Sequence, residues 1–207
     1  MKRILRSFTL ILSIMFFVCF SVPAYAKEND IAQVTKAFNN YTSAVTQYNK
    51  KKIDNCLDDK HFSYSYNSAY QKYIRMLNKK YLTYNIKSIK IRGNSATVMA
   101  TVSFYSAYDD SKKAMKEVIN VKNMSDKKIS KLYIKKLKAA YSDNLNYCDS
   151  EKFKEQFIFT NTTKIPLVKK NGKWKVAKVT SKMQYQMDCV TSDFWKDVSK
   201  NPFIIFD

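Results

Sequence analysis

Residues 93–105 read Gly-Asn-Ser-Ala-Thr-Val-Met-Ala-Thr-Val-Ser-Phe-Tyr, and their alternation decides the fold class. Apolar side chains occupy every second position from Ala96 to Phe104, with mostly polar ones between them. A period of two is typical of a strand with one face in a core. Gly93-Asn94 marks a tight turn, so residues 84–91 are predicted to pair with this strand as a β-hairpin, with an irregularity near Lys87-Ser88.

A second hairpin is predicted further along the chain. Residues 157–170 lead into Asn171-Gly172, a dipeptide that favours a two-residue hairpin turn, and residues 173–180 return with Trp174 and Val176 on one face. Pro166 has no N–H to donate to a neighbouring strand, so we expect it at a sheet edge or in a bulge.

Helical periodicity precedes and separates the two hairpins. From a cap signal at Asn29-Asp30, apolar residues recur at spacings of three and four over residues 31–48, and a second amphipathic pattern covers residues 68–82. Residues 111–153 predict a helical insertion between the hairpins. The fold class is therefore α+β, with N-terminal amphipathic helices packed on an antiparallel sheet.

The N-terminus has the features of a secretory signal peptide. A basic region with Lys2, Arg3 and Arg6 precedes an apolar run over residues 8–20, and Ala24-Tyr25-Ala26 supplies the small side chains of a cleavage site. The run is shorter than the ~20 residues of a membrane-spanning helix. We expect cleavage between Ala26 and Lys27 and a secreted chain with no transmembrane anchor. The alternative is an uncleaved membrane anchor.

Removal of residues 1–26 from the 207 would leave 181 residues, which suits one core. The chain contains only 2 Gly and 3 Pro, so no flexible linker is visible. We predict a single α+β domain over residues 27–207.

The charge balance is strongly basic. Loss of Lys2, Arg3 and Arg6 would lower the net charge from +20 to +17, an excess that favours polyanions such as cell-wall polymers. Only Arg75 and Arg92 would remain as arginines, the usual residues for phosphate recognition, so we expect no specific nucleic-acid partner. The alternative is that the lysine excess reflects base composition of the genome.

A basic amphipathic helix is predicted over residues 125–141. Its lysines edge an apolar side that contains Leu132, Tyr133 and Leu137, so they either contact an anionic polymer or simply surround a buried stripe. The candidate polyanion contacts are Lys127, Lys128, Lys131, Lys135, Lys136 and Lys138.

Three cysteines, Cys56, Cys148 and Cys189, would survive cleavage, which permits one disulfide in an oxidising compartment. We predict Cys148 with Cys189, which would join the helical insertion to the tail, although all three pairings stay open. With His61 as the only histidine, no zinc-site spacing occurs, and we expect neither a metal nor a cofactor.

The best candidates for acid–base catalysis in the sequence are Asp58, Asp59 and His61. A histidine beside carboxylates can act as a base near neutral pH. The alternative is a solvated turn between helices. Asp109-Asp110 is interpreted as a turn and helix cap. The 15 tyrosines are expected mainly in packing, with some lining a pocket.

The order of elements, together with Lys164-Ile-Pro-Leu-Val-Lys-Lys-Asn-Gly-Lys-Trp-Lys-Val176, resembles the nuclear transport factor 2-like superfamily. More closely, it is similar to secreted, uncharacterised members from Gram-positive bacteria. The resemblance covers about residues 31–179, from which the insertion departs. It implies a cone: a curved antiparallel sheet around helices, with a pocket at the wide end.

That superfamily includes isomerases, dehydratases and non-catalytic binding modules, so the resemblance alone does not select a function. No catalytic motif of its enzymes aligns with this sequence. We expect a secreted or cell-wall-associated, non-catalytic module that binds a ligand or an envelope protein. The alternatives are a pocket enzyme of the isomerase or hydrolase kind and electrostatic attachment to anionic cell-wall polymers.

Overall fold

A computed structural model of the protein describes residues 24–59, 68–118, 121, 124–147 and 149–190. These residues form an α+β fold in which seven helices accompany one open sheet of four antiparallel strands, so the predicted fold class is confirmed. His61, Cys148 and most of the predicted signal peptide lie outside the described residues.

Three helices come first: α1 (Ala24–Thr46), α2 (Lys50–Cys56) and α3 (Ser68–Tyr81). The first hairpin follows as β1 (Thr83–Arg92) and β2 (Ser95–Tyr105), and then α4 (Tyr108–Val118), α5 (Asp126–Tyr147) and α6 (Ser150–Phe157). The second hairpin is β3 (Ile158–Lys170) and β4 (Lys173–Val176), followed by α7 (Ser181–Met187). The strand order in the sheet is β1-β2-β3-β4.

Both predicted hairpins are present. The register of β1 against β2 shifts between Ile86 and Ser88, at the predicted irregularity. Asn171 and Gly172 have φ angles of 49° and 75°, so both turn residues are left-handed, and such turns match the twist of paired strands.

Pro166 pairs with Thr97 of β2 in an unbroken register, so the expected bulge is absent. The register between β3 and β4 begins at Leu167, so Pro166 has a paired strand on one side only, as at an edge. Its carbonyl accepts a hydrogen bond from the N–H of Ala177 at 2.8 Å. Because the N and C=O of one residue point to the same side of a strand, the missing N–H also faces away from β2. The ladder between β2 and β3 therefore loses no hydrogen bond.

The core lies between one face of the sheet and the helices. Val98 and Val102 of β2 and Ile165 of β3 are fully buried, as are Tyr41 of α1 and Leu77 of α3. Each such apolar side chain contributes about 1.5–3 kcal/mol by leaving water. On the other face, Thr101 is half-buried and Thr162 is exposed, which explains the polar half of the alternation.

Helix α1 begins at Ala24, upstream of the predicted cap at Asn29-Asp30. Asp30 instead accepts hydrogen bonds from Lys169 Nζ at 2.7 Å and Trp174 Nε1 at 3.3 Å. The hydrogen bonds from Lys169 and Trp174 lower the pKa of its carboxyl. Asp30 therefore joins the first helix to the second hairpin.

Three helices lie between the hairpins, and they extend from Tyr108 to Phe157, beyond the predicted limits of 111 and 153. Helix α5 packs mainly on α4, and α6 leads directly into β3. None of the helices in the described part of the chain has the length and apolar character to span a membrane.

Candidate functional site

The residues predicted for acid–base chemistry do not form a site among the described residues. Asp58 follows α2 and pairs with Lys170 Nζ at 2.6 Å, while its backbone N–H bonds to Val176 at 2.8 Å. Asp59 is exposed, and His61 lies outside the described residues. Asp58 and Asp59, the described members of this group, fit the alternative interpretation: a turn, here bonded to the second hairpin through Asp58.

The lysines predicted to contact polyanions lie on α5. Five of the six are exposed, and Lys136 forms an ion pair with Glu117 of α4. The opposite side of the helix, with Tyr133, Leu137 and Tyr141, is buried. The lysines therefore surround a buried stripe, and the exposed five are Lys127, Lys128, Lys131, Lys135 and Lys138.

Cys189 is a free, fully buried thiol that donates to Asn78 Oδ1 at 2.9 Å. Burial raises its thiol pKa well above the ordinary value. Its predicted disulfide partner, Cys148, lies outside the described residues, so that pairing stays a prediction. Among the residues described, no group of three or more His, Cys, Asp or Glu side chains is arranged to hold a metal ion.

The best candidate site is an open groove of about 580 Å³ where α3, α5 and α6 meet the sheet. This volume is within the usual range for small-molecule sites, about 300–1,000 Å³. We call it the α3–α6 groove. Its lining combines two lysines with hydroxyl, apolar and aromatic side chains: Lys80, Tyr81, Thr83, Ser103, Leu145, Ser150, Phe153, Lys154 and Ile158.

Three polar groups converge at the end of α3. Lys80 Nζ donates to the Tyr141 hydroxyl at 3.2 Å, and the hydroxyls of Tyr81 and Tyr141 share a hydrogen bond of 2.8 Å. Lys80 Nζ also lies 5.1 Å from the centre of the Tyr81 ring, a cation–π distance. Lys80, Tyr81 and Tyr141 are called the hydroxyl–ammonium cluster below.

The pKa values of Lys80 and Tyr81 in this cluster are raised. Hydrogen bonds to Tyr81 and Tyr141 raise the pKa of the Lys80 ammonium. Burial, followed by the hydrogen bond with Tyr141, raises the pKa of Tyr81 to about 12. The Lys80 ammonium and the Tyr81 hydroxyl therefore keep their protons at neutral pH and can donate hydrogen bonds.

Aromatic rings support the groove from below. The ring of Tyr105, the last residue of β2, stacks on Tyr81 at 5.4 Å, on Phe153 at 5.8 Å and on Phe157 at 5.9 Å between centroids. The Tyr141 ring meets that of Tyr105 edge-on at 5.4 Å. Stacked and edge-on pairs contribute about 0.5–1.5 kcal/mol each beyond area burial, so Tyr105 holds the groove wall rigidly.

Beneath this aromatic layer lies a buried carboxylate. Asp110 Oδ2 accepts from the Tyr105 hydroxyl at 2.5 Å and from the Tyr73 hydroxyl at 3.5 Å, and Oδ1 accepts from Asn144 Nδ2 at 2.6 Å. Asp110 is 0% exposed. Asp109 and Asp110 both lie in the first turn of α4, as the interpretation of a turn and helix cap requires, but that interpretation does not account for the burial of Asp110, whereas Asp109 is exposed.

Burial raises the pKa of the Asp110 carboxyl, against hydrogen bonds from Tyr105, Asn144 and Tyr73 that lower it. The same burial raises the pKa of Tyr105 far above its ordinary value. Asn144 also lines a second groove of about 450 Å³, together with Lys113, Asp143 and Asn146. Asp110 therefore lies one side chain (Asn144) away from the second groove and two side chains (Tyr105, then Tyr81 or Phe153) away from the α3–α6 groove, and it is not in the described lining of either.

A second carboxylate, Asp188, is also 0% exposed and accepts from the Tyr48 hydroxyl at 3.1 Å and from Gln184 Nε2 at 2.6 Å. It follows α7 on the core side of the fold. Its contact with Tyr48 connects the C-terminal part of the described chain to the turn between α1 and α2.

The sequence interpretation missed Asp110, Asn144 and Lys80. The tyrosine-rich pattern at Tyr73, Tyr81 and Tyr105 was the available signal, because a buried tyrosine hydroxyl needs a partner. The sequence does not show which polar residue supplies that partner.

No protein-family model matches this chain, and no curated protein matches it. Among solved structures, that of Rv3472 from Mycobacterium tuberculosis, described as a function unknown protein, has a TM-score of 0.36 and 9% sequence identity. The match covers 87% of this chain and 90% of that one. A likeness this remote carries no argument about fold family or function.

The first prediction concerns Asp110. Its pKa in the folded protein lies above 3.8, so the stability associated with the protonated carboxyl is fully present below that pH and is lost as pH rises through the folded pKa. Asp110→Asn keeps a neutral group at every pH. We expect the unfolding free energy of the unmodified protein, relative to that of Asp110→Asn, to fall in urea denaturation as the pH rises above about 4.

Asp109→Asn, at the exposed neighbour, is the matched control and should leave the pH dependence unchanged. Asp110→Ala should be destabilising at every pH, because each orphaned donor, from Tyr105 and Asn144, costs about 1–3 kcal/mol. A pH profile that is identical in the unmodified protein and Asp110→Asn would contradict the role of this carboxyl.

Proposed function

We propose that this chain is a secreted or cell-wall-associated, non-catalytic binding module that holds a ligand in the α3–α6 groove. The observation that carries the proposal is the groove lining: an apolar and aromatic surface with a donor cluster at one end. Small-molecule sites commonly combine a mainly apolar surface with a few converging polar groups.

The protonation of the groove favours binding over catalysis. General acid–base catalysis near neutral pH works best with a group whose pKa is close to 7. Lys80 and Tyr81 have pKa values raised away from that range. Among described lining residues there is no carboxylate, histidine or thiol that could act as the base.

One observation favours the alternative of a pocket enzyme. Asp110 is a buried carboxylate with a raised pKa beside Tyr73 and Tyr105, and such groups often mark active sites. Its hydrogen bonds within the described part of the chain join α3, β2 and α5, which supports a structural role. A substrate could reach it only if Tyr105 or Asn144, which separate it from the two grooves, moved aside.

The secreted location and the cone-like fold family belong to the same proposal. Secretion is supported by the basic, apolar and small-residue pattern over residues 1–26. Membership of the nuclear transport factor 2-like superfamily is supported by the order of helices and hairpins and by the Asn171-Gly172-Lys173-Trp174 turn. An envelope protein or an anionic cell-wall polymer is the expected partner.

The groove is tested with octyl amphiphiles that carry a carboxylate, a phosphate or a neutral glucoside. In protein with labelled Ile and Leu methyl groups, we expect at least one of them to shift the signals of Leu145 and Ile158 saturably. The core methyls of Ile74 and Leu77, which are 0% exposed, should stay unchanged. Absence of any shift at Leu145 and Ile158 would sink the groove proposal.

The same protein is incubated with p-nitrophenyl octanoate to test the enzyme alternative. A non-catalytic module should release no more nitrophenol than Asp110→Asn does. Hydrolysis by the unmodified protein that is lost in Asp110→Asn would favour the enzyme.

Secretion predicts a mature N-terminus at Lys27. Sequencing or mass spectrometry of protein from the culture medium of its native host provides the measurement. Intact precursor retained in the membrane would show that the anchor alternative is correct.

Electrostatic attachment is tested by replacing the five exposed lysines of α5 with glutamine while Lys136, which pairs with Glu117, is kept. On purified teichoic acid we expect retention that falls steeply with salt, because counterion release dominates such binding, and weaker retention of this variant. The control removes the same charge from five exposed lysines on other parts of the surface: Lys51, Lys72, Lys79, Lys90 and Lys178. Equal retention of the two variants would show that binding depends on the net charge of the protein and not on the lysines of α5.

A further inference from the structure

The hydroxyl–ammonium cluster is rich in hydrogen-bond donors and poor in acceptors. The Lys80 ammonium carries three N–H groups, and its bonds to Tyr81 and Tyr141 use at most two of them. The two tyrosines share one O–H proton, which leaves the other available. At least one N–H and one O–H therefore remain for a ligand.

No carboxylate within the described part of the chain pairs with Lys80 or with Lys154, the second lysine of the groove. Lys80 and Lys154 contribute two positive charges to a lining that, as described, carries no negative one. An oxyanion is the complement of this arrangement, since its lone pairs accept both kinds of donor and its charge offsets that of the ammonium.

The rest of the groove has the opposite character. Leu145 is 37% exposed, and Ile158 and Tyr81 are half-buried, so apolar surface continues away from the cluster. Phe153 closes this part from below and stacks on Tyr105. An ion alone would leave this apolar surface in water, whereas a ligand with an apolar chain would cover it.

Resting on the proposed groove function, we infer that the ligand is an amphiphilic organic anion. Its oxyanion accepts from Lys80 and from whichever of the Tyr81 and Tyr141 hydroxyls does not donate to the other, and its aliphatic part lies along Leu145, Ile158 and Phe153. A carboxylate and a phosphate monoester share this chemistry, and the experiment distinguishes them.

The experiment compares four probes by calorimetry, below their micelle concentrations. Octanoate and octyl phosphate carry both parts of the proposed ligand, octyl glucoside has the chain with a neutral head, and acetate has the head without the chain. We expect the better of the two anionic amphiphiles to bind about 3- to 10-fold more tightly than octyl glucoside, the range for one charge-assisted hydrogen bond at a partly exposed site. Acetate should bind far more weakly than octanoate.

Lys80→Gln tests the assignment of the head group, and Lys79→Gln is the matched control because Lys79 is an exposed neighbour on the same helix. Lys80→Gln should remove the preference for the anionic amphiphiles over octyl glucoside. Lys79→Gln should keep the preference. Circular dichroism checks that both variants are folded.

The possible outcomes distinguish failure of the anion assignment from failure of the groove function. The anion assignment would be overturned, and the groove function would stand, if the methyl signals of Leu145 and Ile158 shift but octanoate, octyl phosphate and octyl glucoside bind with equal affinity. The same conclusion follows if the preference for the anionic amphiphiles survives in Lys80→Gln. Absence of shifts with every probe would overturn both. A preference for octanoate identifies a carboxylate ligand, and a preference for octyl phosphate identifies a phosphate.

Discussion

The hydrogen-bonded carboxylate of Asp110 is the constraint on which this architecture depends. It receives donors from Tyr73 in α3, Tyr105 in β2 and Asn144 in α5, and Asp110 itself lies in the first turn of α4. A buried carboxylate without partners would be strongly destabilising, so the four elements must meet in one arrangement. This fixes the helices after β2 relative to the sheet.

Tyr105 connects the buried Asp110 to the side chains of the groove at the surface. Its hydroxyl binds Asp110, while its ring stacks on Tyr81 and Phe153, two side chains of the α3–α6 groove. The groove therefore has a rigid aromatic base, and the hydroxyl–ammonium cluster stands at one end of it. A preorganised donor cluster next to an apolar surface can bind a small ligand without the free-energy cost of reordering its side chains.

The local patterns of the sequence were sufficient for the hairpins. Period-two alternation and the Asn171-Gly172 turn predict strands, and the irregularity near Lys87-Ser88 is observed. Asp110 could not be recognised because an acidic residue in the first turn of a helix has a sufficient local explanation in the helix dipole. Its burial depends on Asn144, 34 residues later, and on Tyr73. Asp30 shows the same limit, since its partners Lys169 and Trp174 are more than 130 residues away.

The measurement that tests this account most directly is a double-mutant cycle of Tyr105→Phe and Asp110→Asn, read by urea denaturation near pH 7. Tyr105→Phe keeps the stacking ring and removes only the hydroxyl. A hydrogen bond between these groups predicts a coupling free energy of about 1–3 kcal/mol. Effects that add to within about 0.3 kcal/mol would contradict the claim that this contact organises the fold and its groove.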